Sequence, residues 1–164
     1  MPRLVMFQPD IALNLGASIR VAACFGASVD VIEPCGFPFS IRALRRSGLD
    51  YLEHVAVRRW TSWEKYAAAG EVGRLILLTT SADAPPIWRC AFREDDRIML
   101  GRESAGAPAE VHAAADLRLR IPLEARARSL NVSVAAAVAL AEARRQFAAS
   151  PPESAPEARA ASEG

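Results

Sequence analysis

Short apolar runs bounded by Gly, Pro or Asp alternate along this chain with longer stretches in which apolar residues recur at helical spacing. The runs predict strands over residues 3–7, 28–33, 54–57, 74–79, 97–100 and 117–121. The longer stretches predict helices near 14–25, 40–47, 62–69 and 104–114, with a last one from about 130 to 148. Strands apolar on both sides of the pleat, joined by helix-length crossovers, indicate an α/β fold: a mostly parallel sheet with helices on both faces. Beyond residue 148 the Ala, Ser, Pro and Glu content buries little, and Pro151-Pro152 stops the helix. One domain over 1–148 and a disordered tail over 149–164 are therefore expected.

Three loops of small and polar residues stand out at the edges of these elements. The first, PDIALNLGASIR, carries Asn14 as a potential helix cap, Gly16 as a point of close approach, and Arg20 two turns into the helix, near an N-terminus suited to anions. In the second, GRESAGAP, Gly101 and Gly106 permit tight turns, Ser104 can cap the helix that follows, and Glu103 offers a carboxylate; Pro108 suits a first helical turn. The third, ARSLNVS, lets Ser129 or Asn131 cap the last helix while the other projects into the same cleft. In open α/β sheets ligands sit at the carboxyl ends of the strands, so such loops predict a pocket built largely from backbone, suited to a small-molecule cofactor. None of the loops is a phosphate loop or a dinucleotide fingerprint.

Composition narrows the class. With 164 residues, 51% of them apolar, the chain suffices for one compact core and not two. No stretch approaches the ~20 apolar residues of a membrane span, and no basic-then-apolar leader precedes the first strand, so a soluble, cytoplasmic protein without membrane association is expected. Cys24, Cys35 and Cys90 are odd in number and lack C-x-x-C spacing, and the histidines are His54 and His112. Neither a disulfide framework nor a metal site is expected.

Charge leaves two readings open, a polyanionic partner and a merely solvated arginine-rich surface. The total is +1, but residues 149–164 hold Glu153, Glu157 and Glu163 against Arg159, which leaves +3 for the rest. Lys65 is the single lysine; Arg42, Arg45 and Arg46 share one helical face, and Arg58-Arg59 and the Arg126/Arg128 pair add further guanidinium groups. The planar fork of arginine suits phosphate.

N-x-G-x-x-x-R near the start, G-x-E-S-x-G-x-P, and I-P…S-L-N-V-S, in this order, resemble the three motifs of the SPOUT class of RNA methyltransferases. VMFQPDIALNLGASIR, VIEPCGFPF and LRRSGLDY narrow the resemblance to the minimal tRNA (cytidine/uridine-34) 2′-O-methyltransferases of the TrmL type, over roughly residues 1–148. The resemblance implies a C-terminal deep trefoil knot and S-adenosylmethionine bound in it, with adenosine held by Leu78, Thr79, Gly101, Ile121, Ser129 and Leu130. It also implies methyl transfer to the ribose 2′-hydroxyl of nucleotide 34 in a tRNA anticodon stem-loop. The partner surface would include Asn14, Arg42, Arg45, Arg46 and Arg128, and Arg20, Glu103, Ser129 and Asn131 would shape the reacting centre. A homodimer pairing the first and last helices is implied too. Ile19, Val21, Ala22 and Ala23, with Val134, Ala137, Val138 and Ala141, supply small apolar side chains for it.

The sequence departs from the family pattern at Arg102, Ala105, Ala107 and Val134, which bears on substrate detail and not on the motif centres. Another tRNA or rRNA nucleotide as target, or an RNA-binding module without turnover, stands beside the wobble-nucleotide expectation. A guanidinium is a poor base, so Arg20 is assigned to orienting the hydroxyl and stabilising developing negative charge.

Overall fold

β1 (Arg3–Phe7) shows why the strands read as unbroken apolar runs. Leu4 and Met6 join one buried cluster and Val5 and Phe7 another, so alternate residues fill cores on opposite sides of the sheet. The computed structural model describes residues 1–40 and 55–149. On the first face lie α1 (Ala12–Phe25) and the last helix, α4 (Val132–Ala149), where Leu15, Ile19 and Ala22 pack with Ala136, Ala139, Leu140 and Ala143. On the second lie α2 (Trp63–Ala68) and α3 (Ala109–Ala114), which contribute Trp63, Tyr66 and Val111.

The remaining strands are β2 (Val29–Ile32), β3 (Val57–Trp60), β4 (Leu75–Leu78), β5 (Arg97–Leu100) and β6 (Leu117–Leu119). Among the described residues they make one six-stranded sheet, β3-β2-β1-β5-β4-β6, with every neighbouring pair parallel. β1 and β5 are neighbours, with Met6 beside Leu100. The chain leaves β1 for α1 on the first face and β5 for α3 on the second. Their carboxyl ends therefore part at a topological switch point, where an open sheet leaves a crevice.

Several sequence expectations shift. The third strand occupies Val57–Trp60, not residues 54–57, because the charged pair inside it is neutralised. Arg58 donates to the buried Asp30, its partner in the strand register, at 2.8 and 2.9 Å and also to Glu71, while Arg59 pairs with Glu33. Both arginines are thus ion-paired with carboxylates of their own chain. α1 begins at Ala12 with Ile11 at its cap position and no side-chain cap, so Asn14 lies inside the first turn. α3 begins at Ala109 and not at Ser104, because Arg102 and Gly106 exchange backbone hydrogen bonds of 3.0 and 2.9 Å and close a tight turn ahead of Pro108. A 3-10 turn at Ile87–Arg89 was not expected. Ile19 and Ala22, assigned above to a dimer face, are fully buried in their own chain's core. Apart from Ser40, the helix predicted over 40–47 with Arg42, Arg45 and Arg46 falls outside the described residues, as do His54, the LRRSGLDY stretch and residues 150–164. Among the described residues no helix is long and apolar enough to cross a membrane.

Candidate active site

Beside the switch point Asn14 of α1, the loops after β4, β5 and β6 and the start of α4 enclose a cavity of about 660 Å³. Its apolar wall is Leu78, Leu100, Ile121, Leu123, Leu130 and Val132; its polar rim includes Asn14, Thr79, Thr80, Arg102, Glu103, Arg128, Ser129 and Asn131. Such a mixture, an apolar wall facing an equally extensive set of polar groups, suits a small organic molecule with a heteroaromatic part and polar edges.

Two glycines allow the second loop to fold so tightly. A Cβ on Gly101 would stand 2.5 Å from the carbonyl carbon of Gly106 and 2.6 Å from the nitrogen of Ala107, so only glycine fits against that backbone. Gly106 takes φ +68°, the left-handed conformation that favours glycine. Together they turn the chain back immediately after β5 and leave residues 102–105 projecting at the cavity's edge.

A continuous hydrogen-bonded chain then ties the three loops together. The Asp10 amide donates to Glu103 Oε2 at 2.8 Å, and Asn14 Nδ2 donates to Glu103 Oε1 at 3.1 Å. Asn131 Nδ2 donates to Asn14 Oδ1 at 2.9 Å, while Asn131 Oδ1 caps α4 by accepting from the Ser133 amide at 2.8 Å. Asn14 gives to a carboxylate and receives from an amide, as a side-chain amide can through its separate NH2 and C=O groups. Each oxygen of Glu103 accepts from the first loop, which makes this carboxylate a brace between loops.

Asp10 anchors the other side. Its carboxylate accepts from the Ser104 hydroxyl at 2.6 Å and amide at 3.0 Å, and from Arg102 Nη2 at 2.8 Å and Nε at 3.3 Å. The Ser104 hydroxyl first, then the Arg102 guanidinium and the Ser104 amide, hold the Asp10 carboxyl down at about 2, from an ordinary 3.8. Asp10 had no place in the sequence-derived site. It precedes the helix as any turn aspartate would, and its partners lie 92–94 positions away, within reach because β1 and β5 are neighbours.

Of the residues singled out in the sequence, Leu78, Thr79, Gly101, Ile121, Ser129 and Leu130 line the cavity together with Asn14, Glu103, Arg128 and Asn131. Arg20 does not line it; it lies on the exposed side of α1. Ser104, expected as a helix cap, instead secures Asp10. His112 also lines the cavity without having been assigned to it. Among the described residues no cluster of three or more His, Cys, Asp or Glu is placed to hold a metal ion. Cys35 is pushed up to about 11, by burial first and by Glu33 second, which leaves its thiol protonated at neutral pH.

The sequence model of the SpoU rRNA Methylase family matches residues 1–141. A tRNA (cytidine(34)-2'-O)-methyltransferase of Beijerinckia indica is 48% identical over 116 residues, 70% of this chain and 72% of that one. A solved structure described as giving structural insights into the 2-OH methylation of C/U34 on tRNA superposes with a TM-score of 0.81 at 38% identity, covering 90% of this chain and 91% of the other. A SpoU methyltransferase of Streptomyces viridochromogenes, solved in complex with the cofactor AdoMet, superposes with a TM-score of 0.75 at 26% identity, covering 90% of this chain and 58% of that one.

Proposed function

The chain belongs to the SpoU rRNA Methylase family, and on that premise we propose that it methylates the ribose 2′-hydroxyl of the wobble nucleotide, C34 or U34, of tRNA with S-adenosylmethionine as donor. The observation that carries this is the cavity at the switch point: the motif residues of three loops line it, in a chain 48% identical to a tRNA (cytidine(34)-2'-O)-methyltransferase. The apolar wall from Leu78, Leu100, Ile121 and Leu130 fits an adenine ring, and the backbone between 78 and 79 and between 129 and 131 fits its polar edge. We assign the methyltransferase domain to residues 1–148.

When bound, S-adenosylmethionine supplies an electrophilic methyl on a sulfonium. The ribose oxygen would take that methyl in line, with the S–CH3 electron pair left on sulfur and the hydroxyl proton released. The chain's task is to hold that oxygen in the near-attack position and to meet its developing charge. Glu103, Asn14 and Asn131 fix the loops relative to each other, and we give them this positioning role.

Arg20 stands away from its own cavity, so we assign it to the cavity of a second copy, in a homodimer formed through the exposed sides of α1 and α4. Leu13, 85% exposed, and Val134, 47% exposed, support this as large apolar side chains left outside the core beside the site. We also place a trefoil knot at the C-terminal end. In its support, the Ile87 amide pairs with the Arg120 carbonyl as the chain leaves β6, the loop beyond returns to Asn14, and Gln146 near the end of α4 bonds Cys90 and Phe92.

The test is methyl transfer from labelled S-adenosylmethionine to unmodified tRNA, followed by mapping of the 2′-O-methyl group. Label at nucleotide 34 is expected. Label at another tRNA position, or in ribosomal RNA as the family's description would suggest, would overturn the wobble assignment.

A further inference from the structure

We propose that Arg102 is a phosphate contact for the RNA strand, a guanidinium held ready at the cavity's edge by Asp10; the inference rests on the RNA-ribose substrate proposed above. Arg102 follows Gly101 directly after β5 and lines the cavity together with Asn14, Glu103 and Arg128. Asp10 Oδ1 grips it along one edge, from Nη2 at 2.8 Å and Nε at 3.3 Å, and Nη1 has no partner among the described residues. The side chain keeps 38% of its surface exposed. Asp10 is itself fixed by the Ser104 amide and hydroxyl, so the grip does not wander.

The chemistry of the substrate supplies the reason for such a group. In RNA the 2′-oxygen and the 3′-phosphate leave adjacent carbons of one ribose, so any cavity that seats the hydroxyl also takes in a phosphate. Glu103 alone at this edge would repel it. An arginine on an open surface loses side-chain freedom when it closes on a ligand; here the Asp10 contact has already restricted it. Nη1 and the second hydrogen of Nη2 remain to donate to phosphate oxygens in the fork geometry that suits them.

The experiment measures affinity of the full chain for an unmodified anticodon stem-loop RNA at a series of salt concentrations, with S-adenosylmethionine affinity read separately. Arg102→Gln is expected to weaken RNA binding roughly 5- to 20-fold and to lower the slope of log K against log salt by ~0.7, one phosphate contact on a single strand. Cofactor affinity should stay within about two-fold. Arg102→Lys should retain the slope, since the charge remains, and lose affinity with the fork. Asp10→Asn, which leaves the Arg102 charge in place, should retain the wild-type slope. If Arg102 only braces Asp10, Arg102→Gln and Asp10→Asn will damage cofactor binding alike and leave the slope unchanged, which overturns the proposal. A wild-type chain that methylates the RNA while Arg102→Gln leaves the slope intact overturns this inference alone; a wild-type chain that neither binds nor methylates RNA sinks the functional reading and this inference with it.

Discussion

Asn131 donates through its side-chain amide to Asn14 Oδ1 at 2.9 Å, across 117 positions of sequence, and with its own oxygen caps α4 at the Ser133 amide. One side chain therefore starts the last helix and ties it to the first. The two jobs separate by substitution. Asn131→Asp keeps the capping oxygen and loses the donor, so stability should fall little while methyl transfer falls at least ten-fold. Asn131→Ala loses both and should destabilise by about 1–2 kcal/mol. Urea denaturation and initial rates on tRNA check the pair; equal effects of both variants on rate and stability would contradict the division.

Asp10 gives the fold an acid-sensitive link. Its carboxyl is held at about 2 in the folded chain against an ordinary 3.8, so its contribution is complete above about pH 4 and disappears as the pH falls through 2. Glu142, held at about 2 chiefly by Arg145, weakens over the same window. Asp10→Asn should thus be less stable than the wild type at pH 7, and the gap should close between pH 4 and 2, because subtraction cancels the Glu142 part. Denaturation midpoints of both chains across that range check it.

How far the sequence foretold this site depends on which contacts are local. Apolar runs such as LVMF and LILL announce parallel strands because both faces of the pleat are covered, and all six predicted strands exist, one of them shifted. VRRW was missed as strand since its arginines look like surface; only the buried Asp30, a neighbour in the sheet and not in the sequence, makes them strand residues. The motif glycines, Asn14, Glu103 and Asn131 were legible because loop chemistry and family resemblance both mark them. Asp10 and Arg102 were not, since their pairing exists only once β5 lies against β1, and strand order is not written in local pattern. Ser104 misled for the complementary reason: a serine ahead of a proline-led helix reads as a cap, yet a carboxylate from another loop claims it.

Gly101 should tolerate no side chain. The Cβ of Gly101→Ala would meet backbone of Gly106 and Ala107 at 2.5–2.6 Å, and backbone cannot swing aside as a side-chain tip can. The turn that carries Arg102 and Glu103 must shift, and with it the cavity floor. S-adenosylmethionine affinity is expected to drop at least ten-fold, measured by calorimetry, with a loss of stability on the order of 2 kcal/mol or more. Near-normal affinity would mean that the cofactor does not depend on this turn.

The shared-site dimer makes the most demanding prediction. Leu13, Ala17, Arg20 and Cys24 recur at helical spacing along the exposed side of α1, which places Arg20 on the stripe proposed to face a second copy. Leu13→Asp should therefore yield a monomer by light scattering, with methyl transfer lost even though the cavity's own residues are intact. Arg20→Ala should abolish transfer yet leave cofactor affinity within a few-fold, because Arg20 does not line its own chain's cavity. If Arg20 serves the partner's cavity, a dimer of one Arg20→Ala chain and one Gly101→Ala chain contains a single complete site: the intact cavity of the first, completed by Arg20 of the partner subunit. Mixing the two inactive variants under conditions that exchange subunits should then restore roughly a quarter of wild-type activity, since half the dimers are mixed and each has one working site of two. An arginine acting within its own chain would give no recovery at any ratio.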